Sequence, residues 1–121
     1  MDKLWWYTTE HYFQAQKFIN TPYLEQIRSI RTPNDAAKLG RKSTFPLRSD
    51  WEQVKDGIML RAVLCKFQIH LDIREILLGT GDEDIVENAP NDYYWGCGKD
   101  GTGKNQLGLT LMQVREILRK N

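Results

Sequence analysis

The sequence contains little cysteine and almost no excess of either charge. Cys65 and Cys97 are the only two cysteines among 121 residues, too few for a disulfide framework. The first residues also lack the charged-then-apolar pattern of a signal peptide. We therefore expect a reduced, cytoplasmic protein.

Several partner classes are excluded by what the chain lacks. No apolar run approaches the roughly 20 residues that a membrane helix needs. His11, His70 and the cysteines form no CxxC or HxxxH pair, so the sequence indicates neither a metal nor a cofactor. A net charge of +1 gives no general attraction to nucleic acid. No obligate protein partner is evident, and the length suits a single domain over residues 1–121.

Capping patterns predict a succession of helices. Thr8 or Thr9 is expected to cap the first helix, while Thr21-Pro22 and Thr32-Pro33 each place a capping threonine before a proline at the first helical position. Gly40 is expected to end the third helix. Asp50 and Gln53 form a capping-box variant that opens the longest helix. Two further helices are predicted over residues 71–78 and 107–119.

Two segments are expected to be extended. The aromatic run at the start, residues 1–7, is too apolar for a free tail and predicts a short strand or a cover over the core. Ile85-Val86, ahead of Pro90-Asn91, predicts another short strand. The predicted fold class is therefore α+β, predominantly helical, with a few short strands.

The first helix carries a polar stripe. Glu10, Gln14 and Lys17 fall on one face at helical spacing, and either face solvent or line a pocket. Trp51, at the start of a helix, can leave the core to line a cavity. The segment 41–49 is basic, and it is either an anion-binding loop or a solvated connection.

A glycine-rich loop precedes the last helix. Its glycines Gly96, Gly98 and Gly101 fit GxGxxG, but too little chain follows for a Rossmann unit. Asn105 stands where a P-loop needs serine or threonine. The loop therefore predicts a phosphate cradle of backbone N–H groups with Lys99 and Lys104, or else a tight structural turn. Beside it, Asp92 and Trp95 combine a carboxylate with a flat aromatic surface.

Three long motifs resemble a known family. They are T-E-H-Y-F-Q-A-Q-K-F from Thr9, W-E-Q-V-K-D-G-I-M from Trp51, and N-D-Y-Y-W-G-C-G-K-D-G-T-G-K-N-Q-L-G from Asn91. Together they resemble the NADAR family, also called YbiA-like N-glycosidases. The resemblance implies one compact, mainly helical YbiA-like domain. It also implies that the family's usual amino-terminal strand segment is missing here, which puts substrate affinity in question.

The resemblance also implies a function and a site. Family members cleave N-glycosidic bonds, either in phosphorylated ribosylamino-pyrimidine intermediates of riboflavin synthesis or between ADP-ribose and guanine. The expected partner is thus a nucleotide-like small molecule or ADP-ribosylated guanine in nucleic acid. The motifs, with the loop reasoning, predict catalytic residues Glu10, Lys17 and Asp92, and substrate-binding residues Trp51, Trp95, Gly96, Gly98, Lys104 and Asn105.

The roles of these residues leave alternatives open. Glu10 would stabilise an oxocarbenium-like transition state or activate water. Lys17 would form a Schiff base with the opened sugar or bind phosphate. Asp92 would position water or a ribose hydroxyl, and Trp51 and Trp95 would stack on the base. The competing hypotheses are a non-catalytic module that binds ADP-ribose or nucleotides and, less favoured by the balanced charge, a nucleic-acid binder without chemistry.

Overall fold

The computed structural model describes residues 4–42 and 45–120, and the regular structure of these residues is entirely helical. Six helices occur in them, in the order α1 (Thr9–Gln16), α2 (Tyr23–Ser29), α3 (Pro33–Lys42), α4 (Trp51–Ile69), α5 (Leu71–Gly79) and α6 (Gln106–Lys120). The prediction of a few short strands, and with it the α+β class, is wrong for these residues. The chain divides into two units, with the boundary between Ala62 and Val63.

The first unit is built around α1, which packs against both α2 and α3. Its aromatic and aliphatic side chains drive this packing, because their burial removes a large apolar area from water. The Tyr23 hydroxyl, also buried, donates to the Leu39 carbonyl at 2.7 Å, so α2 is bonded to α3 as well as packed. The buried cluster consists of Ala15, Phe18, Tyr23, Ile27 and Ala36.

Two of the predicted helix caps are confirmed. The Thr8 hydroxyl accepts the backbone N–H of His11, and the Thr32 hydroxyl accepts that of Asp35. The predicted cap Thr21 is wrong, because α2 begins at Tyr23 after Pro22 and has no side-chain cap bond. The Thr21 hydroxyl donates to the Phe18 carbonyl.

The predicted end of the third helix at Gly40 is also wrong, because α3 continues to Lys42. Gly40 lies against α1 instead, with the side chain of Gln14 in the space where a Cβ atom would stand. The glycine thus permits a close helix contact and does not end the helix. Because α3 runs to Lys42, the first two residues of the predicted basic loop, Arg41 and Lys42, are helical. Ser43 and Thr44 lie outside the described residues.

The longest helix begins at Trp51, directly after the predicted cap Asp50. The Asp50 carboxylate accepts two bonds from the Arg48 guanidinium, at 2.6 and 3.0 Å. The Gln53 N–H donates to the Asp50 backbone carbonyl. The capping-box pattern therefore locates the helix start, although an ion pair engages the carboxylate.

Neither of the predicted strands is present in the described residues. Residues 1–3 of the aromatic run lie outside them, and the rest of the run is irregular. Trp6 packs edge-on against Tyr12 at 5.2 Å between ring centroids, as a cover would. At the second predicted strand, the side-chain amide of Asn105 bonds both the Ile85 carbonyl and the Glu87 N–H. A side chain thus supplies the bonds that a neighbouring strand would have supplied.

The second unit contains α5 and α6, which pack against each other. Leu77 from α5 and Val114 and Leu118 from α6 are buried. The buried Arg115 donates to the Thr80 hydroxyl at 2.9 Å and to the Glu83 carbonyl at 2.8 Å. These bonds connect α6 to the start of the long segment that joins α5 to α6.

Among residues 4–42 and 45–120, no helix combines the length and the apolar character needed to cross a membrane. Both cysteines are free thiols.

Candidate functional site

The polar stripe of α1 is largely buried, unlike an ordinary solvent-facing helix surface. Gln14 is only 6% exposed, and its Nε2 donates to Glu10 Oε1 at 2.7 Å. Glu10 and Lys17 are each half-buried. Glu10 lies four residues before Gln14, and Lys17 lies three residues after it. The stripe as a whole therefore does not face solvent, because Gln14 packs against Gly40 of α3.

Lys17 lies against aromatic rings. Its Nζ is 6.0 Å from the centroid of the Phe13 ring and 5.8 Å from that of the Trp51 ring. Partial burial lowers the pKa of Lys17 below 10.5; the nearby Glu10 opposes this shift, and Arg41 and Lys55 add to it. Lys17 therefore has more neutral, nucleophilic amine at neutral pH than an exposed lysine.

An open cavity of about 430 Å³ lies beside Lys17. Trp51, which is only 6% exposed, forms one wall and packs on Phe13 at 5.0 Å between centroids. The cavity joins an apolar, aromatic surface to charged groups, which is typical of a small-molecule site. Its lining consists of Lys17, Phe18, Gly40, Arg41, Phe45, Leu47, Trp51 and Glu52.

Arg41 lines this cavity from the last turn of α3. Its guanidinium forms no ion pair or hydrogen bond with any described residue, whereas Arg28 and Arg48 are both paired with carboxylates. Arg41 is near enough to Lys17 to lower the pKa of Lys17 through charge repulsion. The cavity thus holds two cationic side chains and the carboxylate of Glu52, which accepts from Lys55 at 2.9 Å. An anionic group of a ligand would bind beside the two cations.

The start of α1 is held in place by a buried histidine. His11 is fully buried, and its Nε2 lies 2.8 Å from the Ile30 carbonyl. Because a carbonyl only accepts, Nε2 is assigned the proton, and Nδ1 accepts from the Thr8 hydroxyl at 2.7 Å. These bonds anchor the residue next to Glu10 to the end of α2.

In the second unit, Asp92 organises the start of the glycine-rich loop. Its Oδ1 accepts the backbone N–H groups of Tyr94 at 3.0 Å and Trp95 at 2.8 Å. Its Oδ2 accepts no hydrogen bond from the described residues. Trp95 is half-buried and packs edge-on against Tyr94. One carboxylate oxygen of Asp92 therefore has a structural role, and the other is available to water or a ligand.

The backbone N–H groups of the loop are largely used within the second unit. Gly98 donates to Ala89, Lys104 to Tyr93 and Asn105 to Gly96. Gly98, at φ 73°, also has no room for a Cβ atom against the Tyr93 ring. Since these N–H groups already have acceptors, the tight structural turn accounts for the glycines better than the phosphate cradle does.

Asn105 and Lys104 complete this segment. Asn105 adopts a left-handed backbone, at φ 54°, and its amide bonds residues 85 and 87 at 2.8 Å on each side. Gly108 lets the Asn105 side chain approach, because a Cβ atom there would overlap it. The exposed Lys104 places Nζ 5.6 Å from the Tyr94 ring, and its ammonium forms no ion pair with the described residues.

The predicted site residues thus form two groups, one in each unit. The first unit brings together Glu10, Lys17 and Trp51. The sequence placed Gln14 on the same polar stripe and Arg41 in the basic segment that could bind an anion, but neither was among the predicted site residues. The second group consists of Asp92, Trp95, Gly96, Gly98, Lys104 and Asn105.

Comparisons with known proteins identify the family of this chain. The NADAR domain model matches residues 1–119. An N-glycosidase of Nostoc punctiforme is 54% identical over 118 residues, which cover 95% of this chain and 76% of that protein. N-glycosidase YbiA of Escherichia coli is 49% identical, over 93% of this chain and 71% of the relative.

A solved structure and a plant relative extend the comparison. The NMR structure of the E. coli protein YbiA matches with a TM-score of 0.87 and 48% identity, over 94% of this chain and 68% of that one. Riboflavin biosynthesis protein PYRR of Zea mays is 40% identical, over 97% of this chain but only 20% of its own length. The chain belongs to the NADAR family.

Proposed function

We propose that this protein is an N-glycosidase that hydrolyses the bond between C1 of a phosphorylated ribose and the exocyclic amine of a base. The observation that carries the proposal is that Lys17 and Trp51 line one cavity and that Glu10 lies close enough to Lys17 to raise the pKa of its amine against the effect of burial. Relatives named as N-glycosidases at 49% and 54% identity support the reaction class.

Glu10 would stabilise the charge that develops in this reaction. Cleavage of the C1–N bond leaves positive, oxocarbenium-like character on the sugar, which a carboxylate stabilises more in the transition state than in the ground state. The bond from Gln14 occupies Oε1. Oε2 is then the oxygen that faces C1 or takes a proton from the attacking water.

Lys17 supplies a second route through a covalent intermediate. A ribosylamine opens to an imine between C1 and the exocyclic nitrogen. The neutral Lys17 amine adds to C1, its two protons pass to the base nitrogen, and the base leaves as a primary amine. The lysine imine that remains is then hydrolysed by water, which frees Lys17 and the sugar aldehyde. The lowered pKa of Lys17 favours this role, because only the neutral amine adds to C1.

Arg41 supports a phosphorylated substrate. Both candidate substrates, a ribosylamino-pyrimidine phosphate and ADP-ribosyl guanine, carry a phosphoryl group on the ribose. Arg41 lines the cavity and has no hydrogen-bond or ion-pair partner among residues 4–42 and 45–120, and a guanidinium donates two parallel hydrogen bonds to phosphate oxygens. The planar base would stack on the aromatic wall that includes Trp51. The Zea mays relative named for riboflavin biosynthesis favours the pyrimidine substrate.

Incubation with each candidate substrate, followed by mass spectrometry of the released base, tests the proposal. We expect release of the base by the wild-type protein and its loss in Glu10→Gln, which keeps the shape of the side chain but removes the charge. Borohydride added during turnover should trap an adduct on Lys17 that is absent from Lys17→Ala. Binding of both substrates without release of base would instead support the non-catalytic nucleotide-binding module.

A further inference from the structure

Gln14 is a buried polar side chain with an atom that has no partner. Its amide lies between α1 and α3 and is only 6% exposed. Nε2 donates to Glu10 at 2.7 Å, whereas Oε1 is fully buried and has no hydrogen-bond partner among the described residues. An unpartnered buried carbonyl costs free energy, so the amide calls for an explanation.

The hydrogen bond to Glu10 fixes the orientation of this amide. An ionised carboxylate only accepts hydrogen bonds, so the nitrogen of Gln14 must face Glu10 and the oxygen must turn away. Turned away, the oxygen lies against Gly40. The unpartnered oxygen is therefore a consequence of directing the N–H towards the carboxylate.

Gly40 provides the space that this arrangement needs. A Cβ atom at position 40 would overlap the Gln14 side-chain oxygen and lie 2.8 Å from its Cδ. No backbone requirement explains this glycine, since it lies inside α3 and has no left-handed φ. The glycine and the glutamine thus act as one unit, in which the small residue on α3 accommodates the amide on α1.

We propose that Gln14 is a positioning residue, which holds the Glu10 carboxylate in its productive orientation through this bond. Because Gln14 is buried and its N–H donates to Glu10, it acts through Glu10 and does not contact the substrate. A hydrocarbon side chain of the same size would fill the same volume without an unpartnered oxygen. What the amide adds over such a side chain is the bond to Glu10. The proposal rests on the role of Glu10 in the proposed function.

Steady-state kinetics of Gln14→Met tests the role, because methionine keeps the length of the side chain and removes the donor. We expect kcat to fall by about 10- to 100-fold, as for loss of one charge-assisted bond. We expect KM to change by less than about twofold and the melting temperature not to fall. Gly40→Ala should reproduce the loss of kcat by displacing the amide, whereas Gly57→Ala, with open space at its Cβ position, should leave kcat unchanged.

An NMR measurement tests the hydrogen bond without catalysis. The side-chain amide resonances of Gln14 should shift in Glu10→Gln and remain in place in Glu52→Gln. Unshifted resonances in Glu10→Gln, or wild-type kcat in Gln14→Met, would overturn the positioning role. Absence of turnover in the wild-type protein would refute the proposed function and with it any role in that reaction. Loss of turnover in Glu10→Gln but not in Gln14→Met would refute the positioning role alone.

Discussion

Substitution of Gly40 by alanine should destabilise the protein, although alanine favours helices. Gly40 lies inside α3, and the side chain of Gln14 occupies the space that a new methyl group would enter. Gly57 lies inside α4 with nothing within 4 Å of its Cβ position. The two glycines therefore form a matched pair that differs in the space around the added methyl group.

The size of the effect follows from two opposing contributions. Replacement of glycine by alanine inside a helix stabilises by roughly 0.5–1 kcal/mol. Overpacking at a closed helix contact costs about 1–3 kcal/mol. Gly57→Ala should show only the first contribution. Gly40→Ala should show both, which leaves the free energy of unfolding of the two variants about 1–3 kcal/mol apart.

Urea denaturation followed by far-ultraviolet circular dichroism measures this difference directly. Equal stability of the two variants, or a Gly40→Ala variant above wild type, would refute the contact between Gln14 and Gly40. A Gly40→Ala, Gln14→Ala double variant should recover part of the loss from overpacking, because removal of the amide leaves room for the methyl group.

Three further predictions concern charge, substrate and loop structure. Since burial lowers the pKa of Lys17, its charge reduces stability at neutral pH. Lys17→Met should therefore raise the free energy of unfolding at pH 7, and denaturation at several pH values should show the gain disappearing as pH approaches 10.5. Arg41→Ala should raise KM about 10-fold or more for a phosphorylated substrate but not for the same compound without its phosphate, while Lys38→Ala, at an exposed position, should leave both KM values unchanged. Asn105→Ala should lower the melting temperature, because the Ile85 carbonyl and the Glu87 N–H lose their bonds to the amide at a cost of about 1–3 kcal/mol. An unchanged melting temperature would contradict a stabilising role for these two bonds.

Much of the helical structure could be predicted from local signals. The caps Thr8 and Thr32 and the starts of α4 and α6 depend on residues close in the chain, and those predictions hold to within a residue. Ile85-Val86 was predicted wrongly because apolar, β-branched composition does not say which group will bond the backbone. Here an amide 20 residues away, that of Asn105, does so.

The candidate site was predictable as a set of residues but not as a set of contacts. The spacing of Glu10 and Lys17 on one helical face was evident from the sequence, and so was an aromatic residue at position 51. The burial of Gln14, and the space that Gly40 leaves for its side chain, depend on how closely α1 approaches α3. The residue pattern within each helix does not predict the distance between the two helices.

The sequence by itself determined where most helices begin, which side chains share the face of α1, and the family to which the chain belongs. These properties follow from backbone capping, helical periodicity and long matching motifs, all of which are local in the chain. The tertiary structure alone decided that Gly40 accommodates an amide, that the loop N–H groups are already bonded, and that burial lowers the pKa of Lys17. Each of these depends on groups that are distant in sequence and adjacent only after packing, because burial and hydrogen-bond partners are set by neighbours in space.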